Sequence, residues 1–316
     1  MGKMICVAGG GRWGKNHIRT LHEMGNLGGI VETAAQRRSE LEQTYGVEVF
    51  STVDEAVTHG FDGYIVATPA ETHYPIGKTI LESGNHVLIE KPMTLSSKDG
   101  EELVATAAKK GVNLMVGHIL LFHPAIIKIK EIIGSGKIGK PSYLYSNRLN
   151  FGTVRTEENV FWSFAPHDIS VLDYLVGKPS LEVRASGGKY LQKNIDDITM
   201  ASLIYPDNIK AHIFVSWLHP FKEQRLVVIG SDGMISFEDL SKEKDIRLYS
   251  KKFEIENGVP QKIESPDEII PYEKSSPLQN ELQYFIDNLD GKIEIADGQS
   301  GLEVVRVLEK ATIEVG

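Results

Sequence analysis

Residues 4–14, MICVAGGGRWG, constrain the fold of this chain more than any other stretch. An apolar run that ends in Gly-x-Gly-x-x-Gly (Gly9, Gly11 and Gly14) and leads into residues at helical spacing reads as strand, tight turn and helix. The glycines permit the turn, a close approach of backbone to a pyrophosphate and close packing of helix on strand. Phosphates would then meet a helix N-terminus, where free N–H groups and the dipole favour negative charge. Arg12 and Trp13 lie inside the turn and are expected to line the same cofactor site. An acid, Glu32, ends the second apolar run, close to the ~20-residue spacing of a carboxylate that binds ribose hydroxyls. It would repel a 2′-phosphate, so NAD is favoured over NADP. Arg37 and Arg38 keep NADP as the second choice, although both read first as solvated charges at a helix start.

The first 120 or so residues continue as this opening demands. Short β-rich runs at Gly29–Val31, Gly63–Ala67, His86–Ile89 and Leu114–Val116 alternate with helical patterns at Asn16–Met24, Arg38–Tyr45, Tyr74–Ser83 and Ser97–Lys110. Ser96 or Ser97 can cap the last of these helices. The pattern predicts an α/β Rossmann domain, a doubly wound parallel sheet, over residues 1–121. After His123-Pro124 one helix (Ala125–Ile133) gives way to longer β runs at Ser142–Asn150, Leu181–Ala185, Ile198–Tyr205, Lys210–Trp217, Gln224–Gly230 and Met234–Glu238. Segregated strands of this kind predict an α+β domain over 122–316 with a large, mostly antiparallel open sheet. Two helices, about Leu278–Asn288 and Gly301–Glu314, follow. If no helix covers one broad face of that sheet, a second subunit is expected there, giving a homodimer or homotetramer.

Charge and composition narrow the partners. The 316 residues carry a formal net charge of −9, which argues against nucleic acid. The single cysteine, Cys6, excludes an intrachain disulfide and fits a reducing cytoplasm. No stretch approaches the roughly 20 apolar residues of a membrane span, and the chain runs directly into a strand without a signal-peptide pattern. A cytoplasmic protein without membrane partner or metal site is expected.

In a doubly wound sheet, ligands bind beyond the C-terminal ends of the strands. Glu90-Lys91-Pro92, after the run Val87-Leu88-Ile89, therefore belongs where the nicotinamide half of a dinucleotide would lie. Thr68, Pro69 and His73 follow the preceding strand and should face the same crevice. Lys91 could otherwise be a surface-loop lysine, His73 a helix-start histidine with a structural hydrogen bond, and Glu90 a structural acid.

GGGRWG, TPAETH (68–73) and IEKP (89–92) together resemble the Gfo/Idh/MocA family of sugar and inositol dehydrogenases. VGHILLFHPA (116–125), GKIGKP (136–141), PHDISVLDYLVG (166–177) and LVVIGSDGMISFED (226–239) extend the resemblance over essentially the whole chain. It implies that Lys91 lies near the substrate hydroxyl and nicotinamide, on a cis Lys91–Pro92 bond. It also implies an acid/base histidine, opening a helix in the second domain, which falls on His167. Inositol dehydrogenases carry an aspartate four residues before that histidine, and here the place is Ser163. Asp168 reads instead as an acid near a helix N-terminus.

The chemistry suits these residue types. Oxidising a secondary alcohol needs a base for the hydroxyl proton while hydride leaves carbon. Histidine titrates nearest neutrality. A cationic lysine stabilises alkoxide charge, and a desolvated one can itself be the base. Either residue could fill that role. Arg148, Asn150 and Arg155, in RLNFGTVR, precede His167, and Lys222 and Arg225 follow Trp217; arginine suits bidentate carboxylate or diphosphate binding. Structural ion pairs are the alternative for each arginine, solvation for Lys222. The R-x-N-x-G…R…EN-x-x-W…APHDIS arrangement resembles the branch of the family acting on UDP-amino sugars. It implies oxidation of the C3 hydroxyl of a UDP-GlcNAc or UDP-GlcNAcA type substrate in polysaccharide or lipid A precursor synthesis. A free sugar or inositol dehydrogenase is the second expectation, and a non-catalytic NAD-binding protein the third. Trp162 and Trp217 could stack on a sugar or belong to the core.

Overall fold

The computed structural model describes residues 2–315. The chain forms two compact units, one from the residues up to Phe122 together with Ser275–Arg306, the other from His123–Lys274 and the chain from Val307 onward. The second unit thus begins one residue beyond the expected boundary, but it is not the continuous 122–316 domain read from the sequence.

In the first unit, β1 (Ile5–Ala8), α1 (Gly14–Met24), β2 (Leu27–Val31), α2 (Ala35–Tyr45), β3 (Glu48–Phe50), α3 (Val53–Ala56), β4 (Gly63–Val66), α4 (His73–Glu82), β5 (Val87–Glu90), α5 (Ser97–Lys110) and β6 (Leu114–Gly117) alternate along the chain. The six strands form one parallel sheet in the order β3-β2-β1-β4-β5-β6. All residues of β1, β4, β5 and β6 are buried, which is why these strands read as apolar runs without alternation. The order reverses between β1 and β4, and this switch point opens the crevice beyond the strand ends. Ser96 caps α5 by accepting from Asp99 N at 3.1 Å, and Gly111 closes that helix with φ 68°. β3 and α3 were not expected, because three and four residues are too short to show a period.

The second unit contains α6 (Pro124–Gly134), β7 (Pro141–Phe151), α7 (Val160–Val176), β8 (Glu182–Gly188), β9 (Ile198–Ile204), β10 (Lys210–Ser216), β11 (Leu218–Gly230), β12 (Met234–Glu238), β13 (Ile246–Tyr249), β14 (Lys251–Glu256), β15 (Val259–Glu264) and β16 (Glu268–Ile270). Eight strands form an open sheet, β16-β13-β12-β11-β7-β10-β9-β8, in which only β7 and β10 pair in parallel; β14 and β15 form a separate hairpin. α7 packs on β7, β9 and β10. Ala211, Ile213 and Val215 of β10 are buried, whereas Lys210, His212 and Phe214 alternate onto the other face. Trp217 is fully buried with its Nε1 donating to Asp197 Oδ1 at 2.6 Å, so it is core; Trp162 Nε1 donates to Thr312 at 2.9 Å.

The helix carrying His167 begins earlier than expected. Asn159 caps it by accepting from Trp162 N at 3.0 Å, and Pro166 lies within it. His167 therefore sits in the body of α7, and Asp168 is no N-terminal acid. A continuous apolar face of Val160, Phe161, Ala165, Ile169 and Leu172 outweighs the hydrogen bond that the proline removes.

The chain returns to the first unit in α8 (Pro277–Asp287) and the start of α9 (Gly298–Val315). Burial explains the return. Phe285 and Leu289 lie over Gly63 of β4, where a Cβ would meet them at 3.1 and 3.2 Å. Val116 N donates to Ala296 O at 2.8 Å, so this segment covers the otherwise open edge of the sheet at β6.

Candidate active site

The glycine turn is shaped as the fingerprint requires. Gly9 has φ 102°, and a Cβ there would lie 2.7 Å from Ala67 O; a Cβ on Gly14 would lie 1.8 Å from Gly9 O. No other residue type fits either position, so the start of α1 stands close against β1 and β4. Arg12 and Arg37 help line an open cavity of about 730 Å³ between α1 and α2, together with Lys15 and Arg19.

Glu32 accepts from Ala34 N at 3.0 Å and lies 3.7 Å from Arg37 Nε, and Arg37 donates to Gly10 O. Arg38 instead donates to the carbonyls of Glu32 and Thr33 at 3.0 and 2.6 Å. The two arginines are therefore tied to the loop after β2, not solvated as expected. The turn and the half-buried carboxylate form a cradle that fits a dinucleotide.

The ends of β4 and β5 are joined by a histidine clamp. His73, buried at the start of α4, engages Thr68 O through Nε2 at 2.9 Å and Pro92 O through Nδ1 at 2.8 Å. Both ring nitrogens serve backbone carbonyls, so its polar chemistry holds the Thr68-Pro69 and Lys91-Pro92 loops. The Lys91–Pro92 peptide is cis. Lys91 is half-buried, whereas Pro92, Met93 and Thr94 beyond it are buried.

Glu90, the residue before Lys91, has a structural role. Its Oε1 accepts from Trp13 Nε1 and bonds His17 Nε2 at 2.7 Å, and its Oε2 accepts from Lys91 N at 3.2 Å. Burial works to raise this carboxyl, but the His17 imidazole, Lys91 and Trp13 outweigh it and hold it below the usual carboxylate range. Trp13 is thereby anchored in the turn while its ring stays partly exposed. His17 was missed in the sequence. One helical turn beyond Trp13, it shares that residue's face of α1, and this spacing was the available signal.

In the second unit, Asp168 is almost fully buried and receives Arg148 in two parallel bonds, Nε to Oδ2 at 2.9 Å and Nη2 to Oδ1 at 3.1 Å. Ser146 Oγ donates to the same carboxylate at 2.6 Å. Arg148, expected to bind substrate, fastens β7 to α7 through the bidentate fit of guanidinium to carboxylate. Arg225 lies apart from Arg148. Its ladder partner is Asn147, so the pleat sends Arg148 and Arg225 to opposite faces. On its own face Arg225 pairs with Glu238 at 3.1 Å and lies 3.7 Å from Glu223.

Arg155, in the loop before α7, is exposed and lies 3.9 Å from Glu158, and Lys222 is exposed on β11. Asn150 keeps a buried Oδ1 with no hydrogen-bond partner among the described residues. His167 is half-buried and Ser163 buried one turn before it. Of the expected residues, those for the cofactor converge at the ends of β1, β2, β4 and β5. Those for substrate divide between the α7 side of the second sheet, its opposite face and exposed loops.

Comparison with known proteins agrees with this architecture. The model for an oxidoreductase family with an NAD-binding Rossmann fold matches residues 3–118, and the GFO/IDH/MocA C-terminal domain model matches residues 126–236. UDP-N-acetylglucosamine 3-dehydrogenase of Acidithiobacillus ferrooxidans is 25% identical over 311 residues, covering 98% of this chain and 96% of the relative. Its crystal structure, 24% identical, superposes with a TM-score of 0.87 over 100% of this chain and 98% of that one. Inositol 2-dehydrogenase 1 of Saccharopolyspora erythraea is 29% identical over 193 residues, covering 57% of this chain and 56% of the relative. The WlbA dehydrogenase of Bordetella pertussis, solved with NADH and UDP-GlcNAcA, shares the fold at 21% identity and a TM-score of 0.80, covering 99% of this chain and 96% of that one.

Proposed function

The chain belongs to the Gfo/Idh/MocA family of oxidoreductases, and from that premise we propose that it is an NAD-dependent dehydrogenase of the C3 hydroxyl of a UDP-linked amino sugar. The observation that carries this reading is the reach of the similarity. The match to a UDP-N-acetylglucosamine 3-dehydrogenase runs through 98% of the chain, both units included, whereas those to three inositol 2-dehydrogenases cover 57%, 73% and 78%.

Glu32 supports NAD as the cofactor, by accepting ribose hydroxyls and repelling a 2′-phosphate. When bound, the nicotinamide supplies an acceptor for the hydride leaving the sugar carbon. Lys91 stabilises the negative charge that develops on the sugar oxygen. His167 takes the hydroxyl proton; Asp168, turned to Arg148 and Ser146, leaves its imidazole to act without a carboxylate from that neighbour. Arg155 and Lys222, both exposed, supply positive charge for the diphosphate. Asn150 offers its buried carbonyl oxygen to a sugar or nucleotide donor.

Purified enzyme should reduce NAD in the presence of UDP-GlcNAc or UDP-GlcNAcA, with 2-oxoglutarate added as an oxidant to recycle bound NADH. Turnover of myo-inositol or a free hexose with comparable kcat/KM would move the assignment to the second expectation, which the 29% identity to an inositol dehydrogenase favours. A protein reducing NAD with none of them would lose the assignment.

The same protein is proposed to assemble through the face of the second sheet that carries Tyr145, His212 and Arg225, opposite α7. Light scattering at micromolar concentration should give a dimer or tetramer mass; a monomer would contradict it.

A further inference from the structure

Behind Lys91 the first unit encloses a group of ionisable side chains that the proposed chemistry does not use. Glu281, on α8, is fully buried, and neither of its carboxyl oxygens has a partner among the described residues. His118, just beyond β6, is buried with both ring nitrogens unpartnered, and His17 Nδ1 is likewise unpartnered while its Nε2 bonds Glu90. α1 packs on α8, bringing the His17 helix against the Glu281 helix. Gly117 lies so near Glu90 that a Cβ there would sit 3.0 Å from the carboxylate, which puts the β6 end that leads into His118 against the same acid.

Buried polar atoms are rarely left unpaired, and here five of them come from three elements around one carboxylate. A buried cluster that is polar on several sides suits internal water, which bridges groups that cannot touch. Two buried carboxyls in one enclosure do not both ionise. Burial and then the Glu90 charge push the Glu281 carboxyl well above the ordinary range, while His17 keeps Glu90 low. Burial holds His118 neutral, pushed down to about 4, with Glu90 raising it and Lys91 lowering it.

We propose that Glu90 and Glu281 form a one-proton acid pair, joined through internal water to His17 and His118, whose single negative charge positions and counterbalances Lys91. Glu281 holds the proton and donates through it; Glu90 carries the charge and fixes both the Lys91 backbone and the Trp13 turn. Glu281 is thus a positioning residue, acting through Glu90, and its functional side rests on the role proposed for Lys91.

The test has one arm without substrate. Infrared spectra at pH 8, with glutamate ¹³C-labelled at the side-chain carboxyl, should show a protonated-carboxyl C=O band that shifts with the label. The band should vanish in Glu281→Gln and persist in Glu90→Gln. No band in the wild-type protein, or a band lost in Glu90→Gln and kept in Glu281→Gln, would overturn the assignment whatever the substrate proves to be. In the second arm, Glu281→Gln, a neutral mimic that keeps a donor, should lower kcat by less than Glu90→Gln does. Glu90→Gln should lose about tenfold, the scale of one pKa unit of charge interaction. Equal losses in the two folded variants would refute the division of roles even with the band in place. The wild-type labelled spectrum alone decides the proton's presence if a variant fails to fold.

Discussion

Replacing Lys91 with methionine should lower kcat by about 10²–10³-fold, the scale of removing one preorganised charge stabiliser, and leave NAD affinity unchanged. Methionine keeps most of the apolar stem and removes the charge, so the fold of the loop is preserved. The loop has independent supports: the His73 ring on Pro92 O, Glu90 on the Lys91 amide, and the Thr94 hydroxyl, which donates to Ser96 O at 2.7 Å. None of these three uses the lysine ammonium, and a thermal melt of the variant separates lost chemistry from a loosened loop. Steady-state kinetics with the accepted nucleotide sugar, beside calorimetric titration of NAD, separates kcat from cofactor affinity. Wild-type kcat in Lys91→Met would remove the lysine from the reaction.

The second large effect concerns stability. Asp168→Ala should destabilise the protein by about 3–5 kcal/mol, because it leaves the Arg148 guanidinium in a largely buried place without a counter-charge. The side chains of Arg148 and Asp168 are only 15% and 2% exposed, so water cannot replace the lost carboxylate fully. Joint replacement, Arg148→Met with Asp168→Leu, should recover much of the loss, since apolar residues of similar volume often substitute for a buried pair. Urea unfolding of the single and double variants measures this. An Asp168→Ala protein of wild-type stability would show that the pair does not fasten β7 to α7. An Arg148→Lys protein of unchanged stability but raised KM would return the guanidinium to the substrate.

The features legible in the sequence were those built from neighbouring residues. The glycine turn, the acid ending β2 and the lysine between an apolar run and a proline each express a local rule of backbone geometry or helix electrostatics. So does the cap on α5. Because the sheet of the first unit is parallel and covered on both faces, its strands announced themselves as unbroken apolar runs.

Relations that depend on strand order were not legible. His73 meets Pro92 O, and Glu90 meets His17, only because β1, β4 and β5 are neighbours in the sheet. The separation of Arg148 from Arg225 rests on one residue of register between β7 and β11, and β11 carries an irregularity between Leu218 and Glu223 that no alternation pattern reveals. The helix of His167 begins at Val160 and not at the histidine, because Asn159 supplies its cap about two turns earlier. The return of 275–306 to the first unit follows from where Phe285 and Leu289 find an apolar surface, a question settled by the sheet and not by the helix that carries them.

The most direct test of the proposed activity follows the hydrogen itself. UDP-GlcNAc or UDP-GlcNAcA deuterated at C3 would be incubated with the enzyme and NAD, and the nicotinamide cofactor recovered and weighed by mass spectrometry. The expected products are NADH carrying one deuterium and a nucleotide sugar that has lost its own. NADH without deuterium from a C3-labelled substrate, or label transferred only from another carbon, would contradict it.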